Sequence, residues 1–222
     1  MIERIREDTL NLMKIPGLSG HEDLVRNYIK EELKKNGLKP IFDKLGNTAV
    51  TFPGTSPRVM LFTHMDQLGL IVRKITDDGF LKFERVGGVP EKILPGQAVS
   101  AIAKNGKILS GIIGTKSHHA TQPEEKYQVS GYRDLYIDLG MDSADEVRSN
   151  GIEIGSAVVY KPSAEIIADD KITGTSVDDR AGCAVLLEVA RQLNSRSHGP
   201  EVNIVFTVQE EFNLRGALPI AQ

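Results

Sequence analysis

Residues 59–66 read Val-Met-Leu-Phe-Thr-His-Met-Asp, and this stretch decides the fold. Its first five residues form an unbroken, mainly apolar run, which predicts a strand buried on both faces of an α/β sheet. Residues 202–208, Val-Asn-Ile-Val-Phe-Thr-Val, form a second run of the same kind. Both runs lead directly into polar residues, and open α/β sheets build their sites at the carboxyl ends of strands.

Amphipathic helices are predicted on either side of these strands, at residues 2–14, 21–36 and 179–193, because apolar residues recur there at helical spacing. Ser19 and Glu22 lie three positions apart before the second helix, which matches a capping box. The predicted apolar stripe of that helix consists of Leu24, Val25, Tyr28, Ile29 and Leu33. The fold class is therefore α/β, an open mixed sheet flanked by helices.

The middle of the chain has a different sequence pattern. From about residue 71 to 165 it consists of short β-like segments separated by turn pairs such as Asp78-Gly79 and Asn105-Gly106. We therefore predict a small all-β domain, residues 71–165, inserted into an α/β domain formed by residues 1–70 and 166–222.

Composition excludes several classes of function. The formal net charge is −3 with acids and bases interspersed, so a nucleic acid is not an expected partner. No run approaches the roughly 18 apolar residues of a membrane helix, so no membrane partner is expected. The first eight residues alternate in charge and lack the apolar core of a signal peptide, which favours a cytoplasmic location. With one cysteine, Cys183, any metal ion must be held by His, Asp and Glu.

The first candidate cluster is His64-Met65-Asp66 at the end of the first predicted strand. If strand geometry continues, His64 and Asp66 lie on one face. A metal-bound imidazole commonly donates its second N–H to a carboxylate, so His64 is a candidate ligand and Asp66 the residue that orients it. Taken alone, such a triplet is more often a surface or structural hydrogen bond than a metal site.

Two acidic clusters complete the set. Asp178 and Asp179 begin a predicted helix, where acidic side chains are favoured by the helix dipole. This pair of aspartates has two possible roles. It forms either an N-cap with a surface Asp–Arg pair, or a site in which one carboxylate bridges two metal ions. Glu210 and Glu211 follow the second predicted strand, as either a charged strand end or a metal ligand beside a residue that addresses water. Together the clusters supply the hard oxygen and nitrogen ligands of a two-metal hydrolytic site.

These residues resemble the M42 metallo-aminopeptidases, which include tetrahedral and glutamyl aminopeptidases. The likeness runs through the whole chain, and two blocks are the most specific: Asp178-Asp179-Arg180-Ala181-Gly182 and Gln209-Glu210-Glu211. The other matching blocks are residues 18–22, 43–47, 64–66, 113–116, 137–140 and 151–155.

The resemblance implies an enzyme that hydrolyses N-terminal residues from peptides through a water molecule activated by two metal ions, zinc or cobalt. It implies that His64 and Asp178 bind one ion, that Asp178 and Glu211 bind the other, that Glu210 is the general base, and that Asp66 supports His64. The β insertion is similar to the family's dimerisation domain, and family members form homo-oligomers from dimers to dodecamers.

The chain departs from the family pattern in three places. Gln67 stands where a glutamate is usual, and Phe212-Asn213-Leu214 stands where Val-Gly-Leu is frequent. Asparagine tolerates a left-handed backbone, so we expect the turn at Asn213 to survive. The family also takes an aspartate from a later strand and a histidine near its carboxyl terminus, and the sequence stops at Gln222 before either.

We therefore expect a catalytic domain that is truncated at its carboxyl end, as a fragment, a frameshifted copy or half of a split enzyme. His118, His119 and His198 are expected to be ordinary loop residues rather than replacement ligands. The alternative function, from a different class, is a non-catalytic oligomerisation remnant of such an enzyme.

Overall fold

The computed structural model describes residues 1–221 and divides into two compact units. One comprises Met1–Gln67 with Pro162–Gln222, and the other is the continuous segment Leu68–Lys161. Each has its own hydrophobic core. The architecture is an α/β unit interrupted by a β unit, and this confirms the predicted fold class.

The helices and strands follow one another along the chain, and the longest connection lies between Gly114 and Tyr136. In chain order they are α1 (Ile2–Met13), α2 (Asp23–Lys35), β1 (Ile41–Phe42), β2 (Thr48–Phe52), β3 (Thr55–His64), β4 (Gly69–Ile75), β5 (Leu81–Val86), β6 (Ala98–Ile102), β7 (Ile108–Gly114), β8 (Tyr136–Asp138), α3 (Ala144–Ser149), β9 (Ala157–Tyr160), β10 (Ala164–Ile167), β11 (Lys171–Gly174), α4 (Val177–Ser195), β12 (Pro200–Thr207) and α5 (Ala217–Ile220). Short 3₁₀ helices occur at Glu91–Ile93 and His118–Ala120.

The α/β unit is organised by a four-stranded mixed sheet of order β1-β2-β12-β3. Strand β12 runs parallel to β3 and antiparallel to β2, so the two predicted apolar strands are direct neighbours. The three predicted helices are confirmed as α1, α2 and α4, and their buried apolar residues share one core with the sheet. Leu24 was wrongly included in the buried stripe of α2; it is exposed because it lies off the face formed by Val25, Ile29 and Leu33.

Strand β3 is not buried on both faces, and that prediction is wrong. Met60 is 42% exposed and Phe62 is 64% exposed, whereas Val59 and Leu61 pack against the core. The reason is that side chains alternate between the two faces of β3, and α4 packs against the face that carries Val59 and Leu61. Within residues 1–221, the face that carries Met60 and Phe62 remains open to solvent.

The β unit is a closed barrel of order β4-β5-β8-β7-β6-β9, with an apolar interior formed by alternating residues of its strands. Segments 98–102 and 157–160 were predicted with the observed bounds. Helix α3 was not predicted, and its signal in the sequence is Ser143: the Ser143 hydroxyl caps the helix by accepting a hydrogen bond from Glu146 N at 3.2 Å.

Neither unit contains a helix long and apolar enough to cross a membrane, as far as residues 1–221 extend.

Candidate active site at the carboxyl ends of β3 and β12

The parallel pairing of β3 and β12 brings two of the predicted clusters to one edge of the sheet. Phe206 lies opposite Thr63 and Thr207 opposite His64, so both strands end at the same level. The residues that follow, 64–66 and 209–211, therefore meet beyond the strand ends, where open α/β sheets build their sites. The third cluster, Asp178 and Asp179, lies on the first turn of α4, and α4 packs against β3.

His64 occupies the centre of this group, and its side chain is only 12% exposed. Its Nε2 atom lies 3.0 Å from Asp178 Oδ1 and 3.9 Å from Glu210 Oε2. Its Nδ1 atom lies 3.2 Å from the backbone oxygen of Asp66 and 3.5 Å from Asp66 Oδ1. Although burial alone would lower it, the pKa of His64 is raised to about 9, chiefly by the hydrogen bond to Asp66 and by the Asp66 charge.

Asp66 is fully buried and connects the two strand ends. Its carboxylate accepts hydrogen bonds from Glu210 N at 2.9 Å and from Glu211 N at 3.0 Å. Burial would raise the pKa of Asp66, but the hydrogen bonds from His64 and these two amides hold it below the usual range. The same side chain thus faces His64 and fixes the backbone that carries both glutamates.

The two adjacent aspartates at the start of α4 have different surroundings. Asp179 accepts a hydrogen bond from the Thr63 hydroxyl and another from Gly182 N at 2.9 Å, so it caps the regular part of the helix. The Asp178 side chain is 87% exposed, and its Oδ1 atom faces His64. One aspartate is therefore a cap and the other projects toward His64, whereas the predicted surface Asp–Arg pair is wrong because the Arg180 side chain is fully buried.

The glutamates follow a turn rather than a continuing strand. Strand β12 ends at Thr207, and Gln209 adopts a left-handed backbone with φ 54°. Asn213 is also left-handed, with φ 63°, which confirms that asparagine sustains the turn there. Glu210 points toward His64, while partial burial, and then the charge of Glu210, raise the pKa of Glu211.

A family model for M42 glutamyl aminopeptidases matches residues 46–222, which include all of these clusters. The chain belongs to the M42 family. Lysyl aminopeptidase from Pyrococcus furiosus is 32% identical over 93% of this M42 chain, and glutamyl aminopeptidase from Lactococcus lactis is 30% identical over 93% of it. The chain covers 59% of each of these proteins.

A solved structure shares the M42 fold closely. The TET1 peptidase of Pyrococcus horikoshii, which can assemble into a tetrahedron or a large octahedral shell, aligns with a TM-score of 0.90 at 32% identity. The alignment covers 98% of this chain and 65% of the TET1 chain. The M42 chain spans 58–61% of the length of six curated relatives that it matches.

The M42 site residues fit a divalent metal ion in the chemistry of their donors. Imidazole nitrogen and carboxylate oxygen are ordinary zinc ligands, and carboxylate oxygens of Asp178 and Glu210 lie 3.0 Å and 3.9 Å from His64 Nε2. In number they fall short, because no group of three or more His, Cys, Asp or Glu side chains within residues 1–221 is arranged to hold a metal ion. These residues therefore fit part of a coordination sphere.

Two residues that hold the turn before Glu210, Glu22 and Asn47, have no predicted role at the candidate site. The predicted capping box is wrong: α2 begins at Asp23 without a side-chain cap, and Glu22 Oε1 accepts instead from Gly20 N at 2.7 Å and Gln209 N at 3.1 Å. Asn47 Oδ1 accepts from Val208 N at 2.9 Å. The local Ser-x-x-Glu spacing could not reveal a partner 187 positions away.

Gln67, one of the departures from the M42 pattern, lies buried beside Arg180. Its Oε1 atom accepts hydrogen bonds from Gly17 N at 3.1 Å and from an Arg180 nitrogen at 3.4 Å. The fully buried Arg180 guanidinium also donates to the backbone oxygens of Met65 and Ile15. Arg180 thus ties the start of α4 to the peptide between His64 and Asp66.

The other histidines of interest are His198 in the α/β unit and His118 and His119 in the β unit. His198 precedes β12, at the opposite end of that strand, where its Nδ1 atom lies 2.9 Å from Pro200 O. His118 and His119 belong to a short 3₁₀ helix in the β unit.

Proposed function

We propose that this chain provides the ligand and proton-transfer residues of a metal-dependent aminopeptidase, which removes N-terminal residues from peptides by means of a water molecule activated by two divalent ions. One observation carries the proposal: His64, Asp178 and Glu210 converge at the carboxyl ends of two parallel strands in a chain of the M42 family. Zinc and cobalt are the ions we expect at this site.

His64, Asp178 and Glu211 are the proposed ligands, with Asp178 shared between the two ions. When bound, such ions lower the pKa of water and polarise a carbonyl oxygen. Asp178 suits the shared position because its carboxylate is the most exposed of the group and projects from a helix end whose geometry Asp179 fixes. The remaining ligands would come from outside residues 1–221.

Glu210 is the proposed general base. Its carboxylate faces the same imidazole edge as Asp178, and its backbone amide donates to Asp66, which supports this orientation. In the proposed reaction, Glu210 takes a proton from the attacking water and returns it to the leaving amine as the peptide bond breaks. His64 and Asp66 remain in place throughout.

The test compares the wild-type chain with Glu210→Gln and with Glu201→Gln, a partly exposed control on β12. Binding of Zn²⁺ and Co²⁺ is measured by titration calorimetry, and hydrolysis by a panel of aminoacyl-amide substrates. Metal binding should persist in Glu210→Gln while turnover falls about 10²-fold or more, as expected when a general base is removed. Equal turnover in the wild type and Glu210→Gln, or the absence of metal binding from the folded wild type, would refute the proposal.

We also propose that the chain forms homo-oligomers through its β unit. Strand β7 presents Ile108 and Ile112, each about half exposed, on the outer face of the barrel. Exposed apolar residues that alternate along a strand favour association with another surface. The measurement is the molar mass of the purified chain by light scattering, and a monomer at all accessible concentrations would contradict this proposal.

A second candidate function is that of a non-catalytic oligomerisation module. It is favoured by the small number of converging ligands within residues 1–221. The two candidates differ in metal stoichiometry, because an oligomer that binds no zinc or cobalt and lacks turnover fits only the second.

A further inference from the structure

Four consecutive backbone amides after β12 each donate to a side-chain oxygen from another part of the chain. The amide of Val208 donates to Asn47, that of Gln209 to Glu22, and those of Glu210 and Glu211 to Asp66. Asn47 precedes β2, Glu22 precedes α2 and Asp66 follows β3, so three separate segments hold one turn.

This turn needs external support because its backbone is unfavourable by itself. Gln209 and Leu214 have φ values of 54° and 55°, a left-handed region that side chains disfavour. Only three backbone hydrogen bonds close the turn on itself, from Leu214 N to Glu210 O, from Arg215 N to Gln209 O and from Gly216 N to Val208 O. The amides at its start face side chains instead, so those side chains determine where the two glutamates point.

Among the three supporting side chains, Glu22 binds the amide of Gln209, whose backbone is left-handed. Its side chain is buried, and its Oε1 atom receives both the Gly20 and the Gln209 amide hydrogens. No Lys, Arg or His side chain within residues 1–221 forms an ion pair with this carboxylate, so its partners are backbone amides. Burying a carboxylate away from water has a large desolvation cost unless such hydrogen bonds are made.

We infer that Glu22 is a positioning residue: by binding the Gln209 amide at the start of the turn, it sets the direction of the Glu210 and Glu211 side chains. This inference rests on the proposed function for its catalytic consequence, although the geometry it describes can be measured separately. Glu22 touches no substrate in this scheme and acts only through the turn.

The experiment uses the full chain with Glu22→Ala, Glu22→Gln and the control Glu31→Ala, which removes an exposed carboxylate from α2. Amide hydrogen exchange is read at Val208 and Gln209 and at core amides of β2. In Glu22→Ala, exchange at Gln209 should accelerate by about tenfold or more while the β2 amides stay protected, because only a local hydrogen bond is lost. Glu22→Gln retains the acceptor oxygen and should restore most of the protection.

Kinetics with the same variants test the catalytic consequence. We expect kcat to fall about tenfold in Glu22→Ala with KM changed less than about threefold, since an interaction felt mainly in the transition state is weakened. Glu22→Gln should recover most of this kcat, and Glu31→Ala should match the wild type. If the wild type has no turnover, the proposed function fails and the exchange data alone decide the inference.

Two results would overturn it. One is an unchanged rate of amide hydrogen exchange at Gln209 in Glu22→Ala, which would mean that the turn is stable without the Glu22 hydrogen bond. The other is a uniform loss of protection in Glu22→Ala that includes the β2 amides and is not reversed in Glu22→Gln, which would assign Glu22 a general structural role.

Discussion

The buried carboxylate of Glu188 allows a quantitative prediction about stability and pH. Glu188 lies on α4 and receives two hydrogen bonds from Arg4 of α1, at 2.9 Å and 2.7 Å, and one from Gln192 at 2.7 Å. Arg191 lies 3.6 Å away. The hydrogen bond from Arg4 is the largest cause that lowers the pKa of Glu188 from 4.5 to about 2, and burial opposes it.

The magnitude follows from this pKa. A fall from 4.5 to about 2 corresponds to roughly 3 kcal/mol of folding free energy, at about 1.36 kcal/mol per pKa unit. Because the Arg4 side chain is 55% exposed, screening by water reduces the contribution to about 1–2 kcal/mol. Since the folded pKa is depressed, this stabilisation is complete above about pH 4.5 and is lost as the pH falls toward 2.

The perturbation is Glu188→Gln, which preserves the shape of the side chain and removes its charge. Urea unfolding at pH 7 should show a loss of about 1–2 kcal/mol relative to the wild type. The difference should narrow steadily below pH 4.5, because the wild type then loses the same charge.

The matched control is Glu3→Gln, which removes the carboxylate of the exposed Glu3–Arg6 pair on α1 and should cost less than about 0.5 kcal/mol. A difference between wild type and Glu188→Gln that stays constant from pH 7 to pH 3.5 would refute the assignment of the stabilisation to this charge. A cost in Glu188→Gln no larger than that of the control would do the same.

Two further predictions concern the start of α4. Gly182→Ala should destabilise the chain by about 2 kcal/mol or more, although alanine normally favours a helix, because the added Cβ would lie 2.5 Å from Thr63 Oγ1 and closer still to Asp179; a raised thermal midpoint would contradict this. Burial raises the pKa of the Cys183 thiol to about 12, so alkylation by iodoacetamide at pH 8, followed by mass spectrometry, should be far slower in the native chain than in urea. Equal rates in both states would show that the thiol is accessible.

The positions of the predicted site residues could be anticipated from the sequence because their signals are local. Apolar runs at 59–63 and 202–208 predicted two strands, each followed by polar residues at its carboxyl end. The parallel pairing of these strands in the structure places both sets of polar residues at the same end of the sheet. The adjacent aspartates were open to two interpretations, and the structure separates them: Asp179 caps the helix, whereas Asp178 projects toward His64.

The sequence by itself determined the α/β class, the inserted β segments and the three candidate clusters near 64–66, 178–179 and 210–211, because periodicity and residue type act over a few positions. Only the tertiary structure decided that β3 lies at a sheet edge with Phe62 exposed, and that Glu22 binds a turn 187 residues away rather than capping its own helix. The physical reason is that strand order and long-range hydrogen bonds depend on which segments meet in space. A buried carboxylate needs hydrogen-bond donors, and the tertiary fold determines which amides lie within reach of it. A local sequence motif does not specify those amides.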